Sequence, residues 1–143
     1  MQINQLSIFV ENKAGRLMEI VDVLKENNVN ISALSLADTT DFGVLRMIVC
    51  DPEKAKIALR ESGVIVKTTP VLALPIEDTP GGLAAMLSLF SEEKIAVEYM
   101  YAFATRIEGK AVMVLRVDDV EKAQKLLIQK GFGDLDSTQL FRS

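Results

Sequence analysis

Val10-Glu11-Asn12-Lys13-Ala14-Gly15-Arg16-Leu17 and Ile76-Glu77-Asp78-Thr79-Pro80-Gly81-Gly82-Leu83 are two versions of one stretch, offset by 66 residues (76 minus 10). In each, an apolar strand end runs into a polar turn containing glycine, and an apolar residue follows. Upstream, Leu6, Ile8 and Val10 alternate, as do Leu72, Leu74 and Ile76, and a period of two marks a strand. Downstream, Leu17, Ile20, Val21 and Leu24 recur as Leu83, Met86, Leu87 and Phe90. That spacing is a single apolar stripe on a helix.

The correspondence continues along the chain. Asn28-Val29-Asn30-Ile31 meets Lys94-Ile95-Ala96-Val97, and Gly43 meets Gly109 at the same offset. Glu53-Lys54-Ala55 and Gly63 meet Glu121-Lys122-Ala123 and Gly131 at an offset of 68, so the second copy carries two extra residues. Asn27-Asn28 and Glu92-Glu93-Lys94 break the first helices. Second strands start at Ile31 and Val97, and third strands lie near Val44–Cys50 and Ala111–Val117. Gly43 and Gly109 suit the hairpin turns between them. Second helices follow, with Asp51-Pro52 and Asp118-Asp119 at their N-termini and Gly63 and Gly131 just past their ends. Last strands are expected at Val64–Thr68 and Leu135–Leu140.

The order is therefore βαββαβ, twice. The expected fold class is α+β: two ferredoxin-like units with antiparallel sheets and helices on one face. The expected boundary is near Thr69-Pro70, giving domains 1–69 and 70–143. Almost no linker separates them, so the two are expected to share an interface and to be joined side by side.

Composition narrows the chemistry. The chain has 143 residues, 49% hydrophobic and 25% charged, with no His, no Trp and 1 Cys. Without histidine there is no Ser-His-Asp triad, no Cys-His pair and no His-based zinc site. A lone Cys50 makes no internal disulfide or CxxC clip, which suits a reducing cytosol. It reads as a small hydrophobe in an apolar strand. The net charge of −4 argues against nucleic acid as a partner. Met1–Gln5 lacks a signal peptide's pattern, and no apolar run reaches the length of a membrane helix. The expectations are a cytoplasmic protein with no membrane, metal, cofactor or catalytic residue, and not an enzyme.

The strand-to-helix turns are the candidate site. A helix N-terminus offers unpaired N–H groups and partial positive charge, to which a carboxylate or phosphate is attracted. The alternative is that Asn12 and Asp78 simply cap their helices. Asn30 carries an amide that both donates and accepts, which suits a zwitterion. It also reads as a plain turn asparagine. Its counterpart is Ala96, so a site using it is not symmetric within the chain. Tyr99, Tyr101 and Phe103 alternate on one strand face, as core or interface. Arg46, Arg106 and Arg116 read as isolated surface positives.

These stretches resemble ACT domains, and the resemblance covers nearly the whole chain. It implies βαββαβ modules that bind amino acids and regulate metabolism. In side-by-side pairs the ligand lies at the junction, between the first turn of one unit and the second-strand start of its neighbour. The resemblance carries ligand-binding roles to Asn12, Lys13, Ala14, Gly15, Arg16, Leu17, Asn30 and Ile31. In the second copy it carries them to Asp78, Thr79, Pro80, Gly81, Gly82, Leu83, Ala96 and Val97. Asp78 and Ala96 depart from the asparagines of serine-binding members, which implies one good site and a second, altered one. The function so implied is a homodimeric regulatory protein that senses an amino acid and signals to a separate metabolic enzyme. The alternative is an assembly module or regulatory subunit with no small ligand.

Overall fold

The computed structural model describes residues 1–38, 41–132, 135 and 137–141. The chain divides into two compact units. One holds Asn4–Thr69 together with Phe141, and the other holds Pro70–Leu140 together with Met1–Ile3.

The first unit contains β1 (Gln2–Glu11, from Asn4 on), α1 (Arg16–Glu26), β2 (Ile31–Asp38), β3 (Phe42–Val49), α2 (Pro52–Glu61) and the start of β4 (Val66–Ile76). Its strand order is β2-β3-β1-β4. The alternation in β1 sends Leu6, Ile8 and Val10 to one face. There they meet Leu45, Met47 and Val49 of β3 and the apolar stripes of α1 (Ile20, Leu24) and α2 (Ala55, Leu59). These side chains are almost fully buried. Truncating one such leucine to alanine costs about 2–5 kcal/mol. On the opposite face Gln5 is buried, and its amide donates to the Ser7 hydroxyl, which is 3.1 Å from the Thr69 hydroxyl.

The second unit repeats this with the rest of β4, α3 (Gly82–Glu92), β5 (Val97–Ala102), β6 (Ala111–Val117) and α4 (Val120–Gln129). Its strand order is β4-β6-β5. Leu72, Leu74, Ile76, Leu115 and Val117 pack against Met86 and Phe90 of α3 and Leu126 and Leu127 of α4. Both units are ferredoxin-like.

The helix ends follow a strict pattern. Asp51 and Asp119 cap α2 and α4, each carboxylate accepting the N–H three residues on (Lys54 and Lys122) at 3.1 Å. Helices α1 to α4 each close with paired reverse bonds. For α1, Asn28 N–H bonds the Lys25 carbonyl and Val29 N–H bonds the Leu24 carbonyl. Lys94 and Ile95, Gly63 and Val64, and Gly131 and Phe132 do the same for the others. This is the Schellman closure, and its apolar contact is present, for example Val29 with Leu24 in one core.

Two sequence expectations change. First, Ser137–Leu140 is a short helix, α5, rather than a strand over Leu135–Leu140. The strand position beside β4 is already filled by the N-terminus: Ala73 N–H donates to the Met1 carbonyl at 2.9 Å, and the Met1 amino group donates to the Ala73 carbonyl at 3.2 Å. Second, Gly43 is not a turn residue and does not correspond to Gly109. It lies in β3 opposite Val10, and the residue opposite Ile76 is Ala111. The two extra residues of the second copy thus sit in the β5–β6 connection. That connection closes through Glu108 (φ 51°) and Gly109 (φ 78°) between the bridged Ile107 and Lys110, a type I′ geometry.

Candidate functional site

The turn from β1 to α1 delivers Asn12 to Leu17 in one sweep. Gly15 stands at the N-cap of α1 with φ 87°, and no side chain caps the helix. The β4–α3 turn is built alike, with Gly81 at φ 89° and no side-chain cap. A side chain would strain this left-handed conformation, whereas glycine adopts it freely. Asn12 and Asp78 are therefore not the helix caps that the sequence left as an alternative. Uncapped α1 and α3 contrast with carboxylate-capped α2 and α4.

A cleft of about 410 Å³ opens at the first turn, lined by Val10, Glu11, Asn12, Lys13, Leu17, Leu36 and Gly43. This lies within the range of small-molecule sites, roughly 300–1,000 Å³. A second hollow over the same turn adds Asp41 and Phe42. Asn12 N–H donates to the Asp41 carbonyl at 3.2 Å, fixing the turn to the β3 start. Leu17 begins the α1 stripe but is only partly covered (37% exposed), so it walls the cleft instead of joining the core. Leu36 (52% exposed) faces it from β2, resting on Gly43, where a Cβ would stand 3.0 Å from its Cδ1.

The rim is charged. Glu11 pairs with Lys13 at 3.2 Å and with Arg16 at 4.0 Å, and Arg16 pairs with Glu19 at 3.1 Å. Arg16 lines a different hollow, between α1 and the end of α2 at Ser62 and Gly63. An uncapped helix end, an asparagine amide, an ammonium and a carboxylate beside apolar walls can together hold a small zwitterion with an apolar side chain.

Asn30 and Ile31 are not brought to this cleft within their own unit. Glu11 pairs with Phe42 and Ile31 with Val49, seven residues apart on β3. At the rise of a strand that is about 23 Å. Asn30 sits at the far end, where its N–H reaches Cys50 Sγ at 3.3 Å and its carbonyl accepts the Cys50 N–H at 3.0 Å. Ala96 and Val97 are equally remote from their turn, and Ala96 is tied to Asp118 through both its N–H and its carbonyl.

The second turn differs chemically. Asp78 forms an ion pair with Arg106 and Glu77 with Lys110. Gly82, the counterpart of Arg16, lies so close beneath the Glu77 carbonyl that a Cβ would stand 1.9 Å from its oxygen. Thr79 accepts the Gly82 N–H at 3.0 Å through its carbonyl. Of the second turn's residues, Glu77 and Gly82 line a cleft of about 390 Å³ that runs to the end of α4 at Lys130 and Phe132. Arg106 is thus a paired residue, and Arg116 donates to the Pro70 carbonyl at 2.7 Å.

As cleft residues, sequence reasoning missed Val10 and Glu11, which directly precede the turn, and Leu36 and Gly43, whose role arises only from strand register. Among the described residues no group of three His, Cys, Asp or Glu gathers as metal ligands, and no helix is long and apolar enough to cross a membrane.

A family model for the ACT domain pair matches residues 1–142. The chain belongs to that family. Protein BT0572 from Bacteroides thetaiotaomicron is 40% identical to this ACT pair over 100% of this chain and 98% of its own, with a TM-score of 0.92. The ligand-free regulatory subunit of aspartate kinase from Thermus thermophilus shares the fold: TM-score 0.59, 13% identity, covering 90% of this chain and 92% of that one. Its Thermus flavus equivalent gives 0.57 and 13%, over 90% and 94%. No curated protein matches the ACT pair.

Proposed function

We propose that this ACT pair is a regulatory amino-acid-binding protein whose ligand lies at the first turn. The observation that carries the reading is the uncapped, glycine-initiated α1 opening onto an apolar-walled cleft with Asn12 and Lys13 on its rim. In this reading the ligand carboxylate faces the α1 N-terminus and Lys13, the ammonium faces Glu11 and the Asn12 amide oxygen, and the side chain rests between Leu17 and Leu36.

Asn30 and Ile31 enter from a second copy. β2 is an edge strand with Leu34 and Leu36 exposed. Asp38, at one end of β2, aligns with Gly43 and hence with Val10, beside the Asn12 turn, while Asn30 precedes the other end. Antiparallel pairing of two β2 strands would therefore carry Asn30 of one protomer to the Asn12 turn of its partner. Ligand contacts made by both copies favour one assembly over another, which is the differential affinity a switch requires. The recipient of the signal is a separate metabolic enzyme. The likeness to aspartate kinase regulatory subunits supports that assignment.

Amide chemical-shift mapping with each of the twenty L-amino acids tests the location. One or two of them should move residues 11–17 together with 30–31. Shifts confined to other regions, or none, would overturn the reading.

A further inference from the structure

We infer that the second turn is closed by an internal ion pair, and that Arg106 is the residue that decides this, so each chain holds one amino acid rather than two. The inference rests on the proposed site at the first turn. At the first turn the residue after the strand is Asn12, a neutral amide, and the β2–β3 connection spans only three residues, 39–41. At the second turn the equivalent residue is Asp78, and the β5–β6 connection spans eight, 103–110. The lengthened connection carries Arg106 back onto the Asp78 carboxylate. Ile107 beside it is buried, which anchors the connection, and the bridge from Ile107 to Lys110 fixes its shape. Glu77 is held in turn by Lys110 at 3.2 Å.

A free amino acid brings one carboxylate and one ammonium. The first turn has an ion pair of its own, Glu11 with Lys13, but its turn residue Asn12 is neutral. At the second turn the turn residue is itself a carboxylate, and a guanidinium from the β5–β6 connection lies on it. An incoming α-carboxylate would meet the fixed negative charge of Asp78, and an incoming ammonium would have to displace Arg106. Gly82 lies so close beneath the Glu77 carbonyl that no side chain fits where the first turn carries Arg16. The two extra residues of the second copy thus convert a receptor turn into a self-satisfied one. Arg106 is a specificity-determining residue through its effect on Asp78.

Isothermal titration of the full chain with each of the twenty L-amino acids tests this. The wild type should take up one molecule per chain, and Asn12→Ala should weaken uptake at least tenfold. The exposed double variant Asp78→Asn/Arg106→Ala should rise to two molecules per chain, the second bound more weakly because Ala96 has no amide. Two molecules per wild-type chain, or a double variant that stays at one, would overturn the inference alone. No heat from any amino acid with the wild type would overturn the reading of the first turn, and this inference with it.

Discussion

Lys94 holds a left-handed backbone (φ 57°) just after the α3 cap, where α2 and α4 have Gly63 and Gly131. Left-handed geometry costs an L-residue about 1–2 kcal/mol, part of which glycine recovers. Lys94→Gly should therefore stabilise the chain by ~0.5–1 kcal/mol in urea titration. Gly82→Ala should do the reverse. Its Cβ would collide with backbone, not with a flexible side chain, so a loss of about 1–3 kcal/mol is expected. The sequence marked the chain breaks around residues 94 and 82. It could not show that one is strained and the other sterically sealed, since both facts depend on backbone placement.

At the scale of elements, the four helix starts separate stability from binding. Asp51→Ala and Asp119→Ala each remove a carboxylate that accepts a helix N–H, and each should cost about 1 kcal/mol. Asn12→Ala caps nothing and should stay within ~0.5 kcal/mol of wild type. A loss comparable to that of Asp51→Ala would return Asn12 to a capping role. Strands and helices were legible because two apolar periods repeat cleanly, from Leu6 to Val10 and from Leu17 to Leu24. The Leu135–Leu140 strand was misread because the first copy was projected onto the second. Nothing in that local sequence reveals that Met1 already bonds Ala73 in the strand position beside β4. The cleft was half legible: the turn residues stand in one motif, but Leu36 and Gly43 join them only through the register that sets Leu36 opposite Leu45 and Gly43 opposite Val10.

For the whole molecule, the proposed site is complete only in an assembly, because β2 is an exposed edge and about 23 Å separates the Asn12 turn from Asn30. Sedimentation equilibrium should give twice the chain mass. Leu34→Glu with Leu36→Glu should give one chain mass with an unchanged far-ultraviolet spectrum. The central claim, that the first turn binds an amino acid, is tested most directly by thermal unfolding of wild type and Asn12→Ala with each of the twenty L-amino acids. At a hundredfold excess over the dissociation constant one site adds about 2.7 kcal/mol, on the order of 5–10 °C for a domain pair of this size. The account predicts such a rise for one or two amino acids in wild type and its loss in Asn12→Ala. A flat wild-type panel, or equal rises in both proteins, would contradict it.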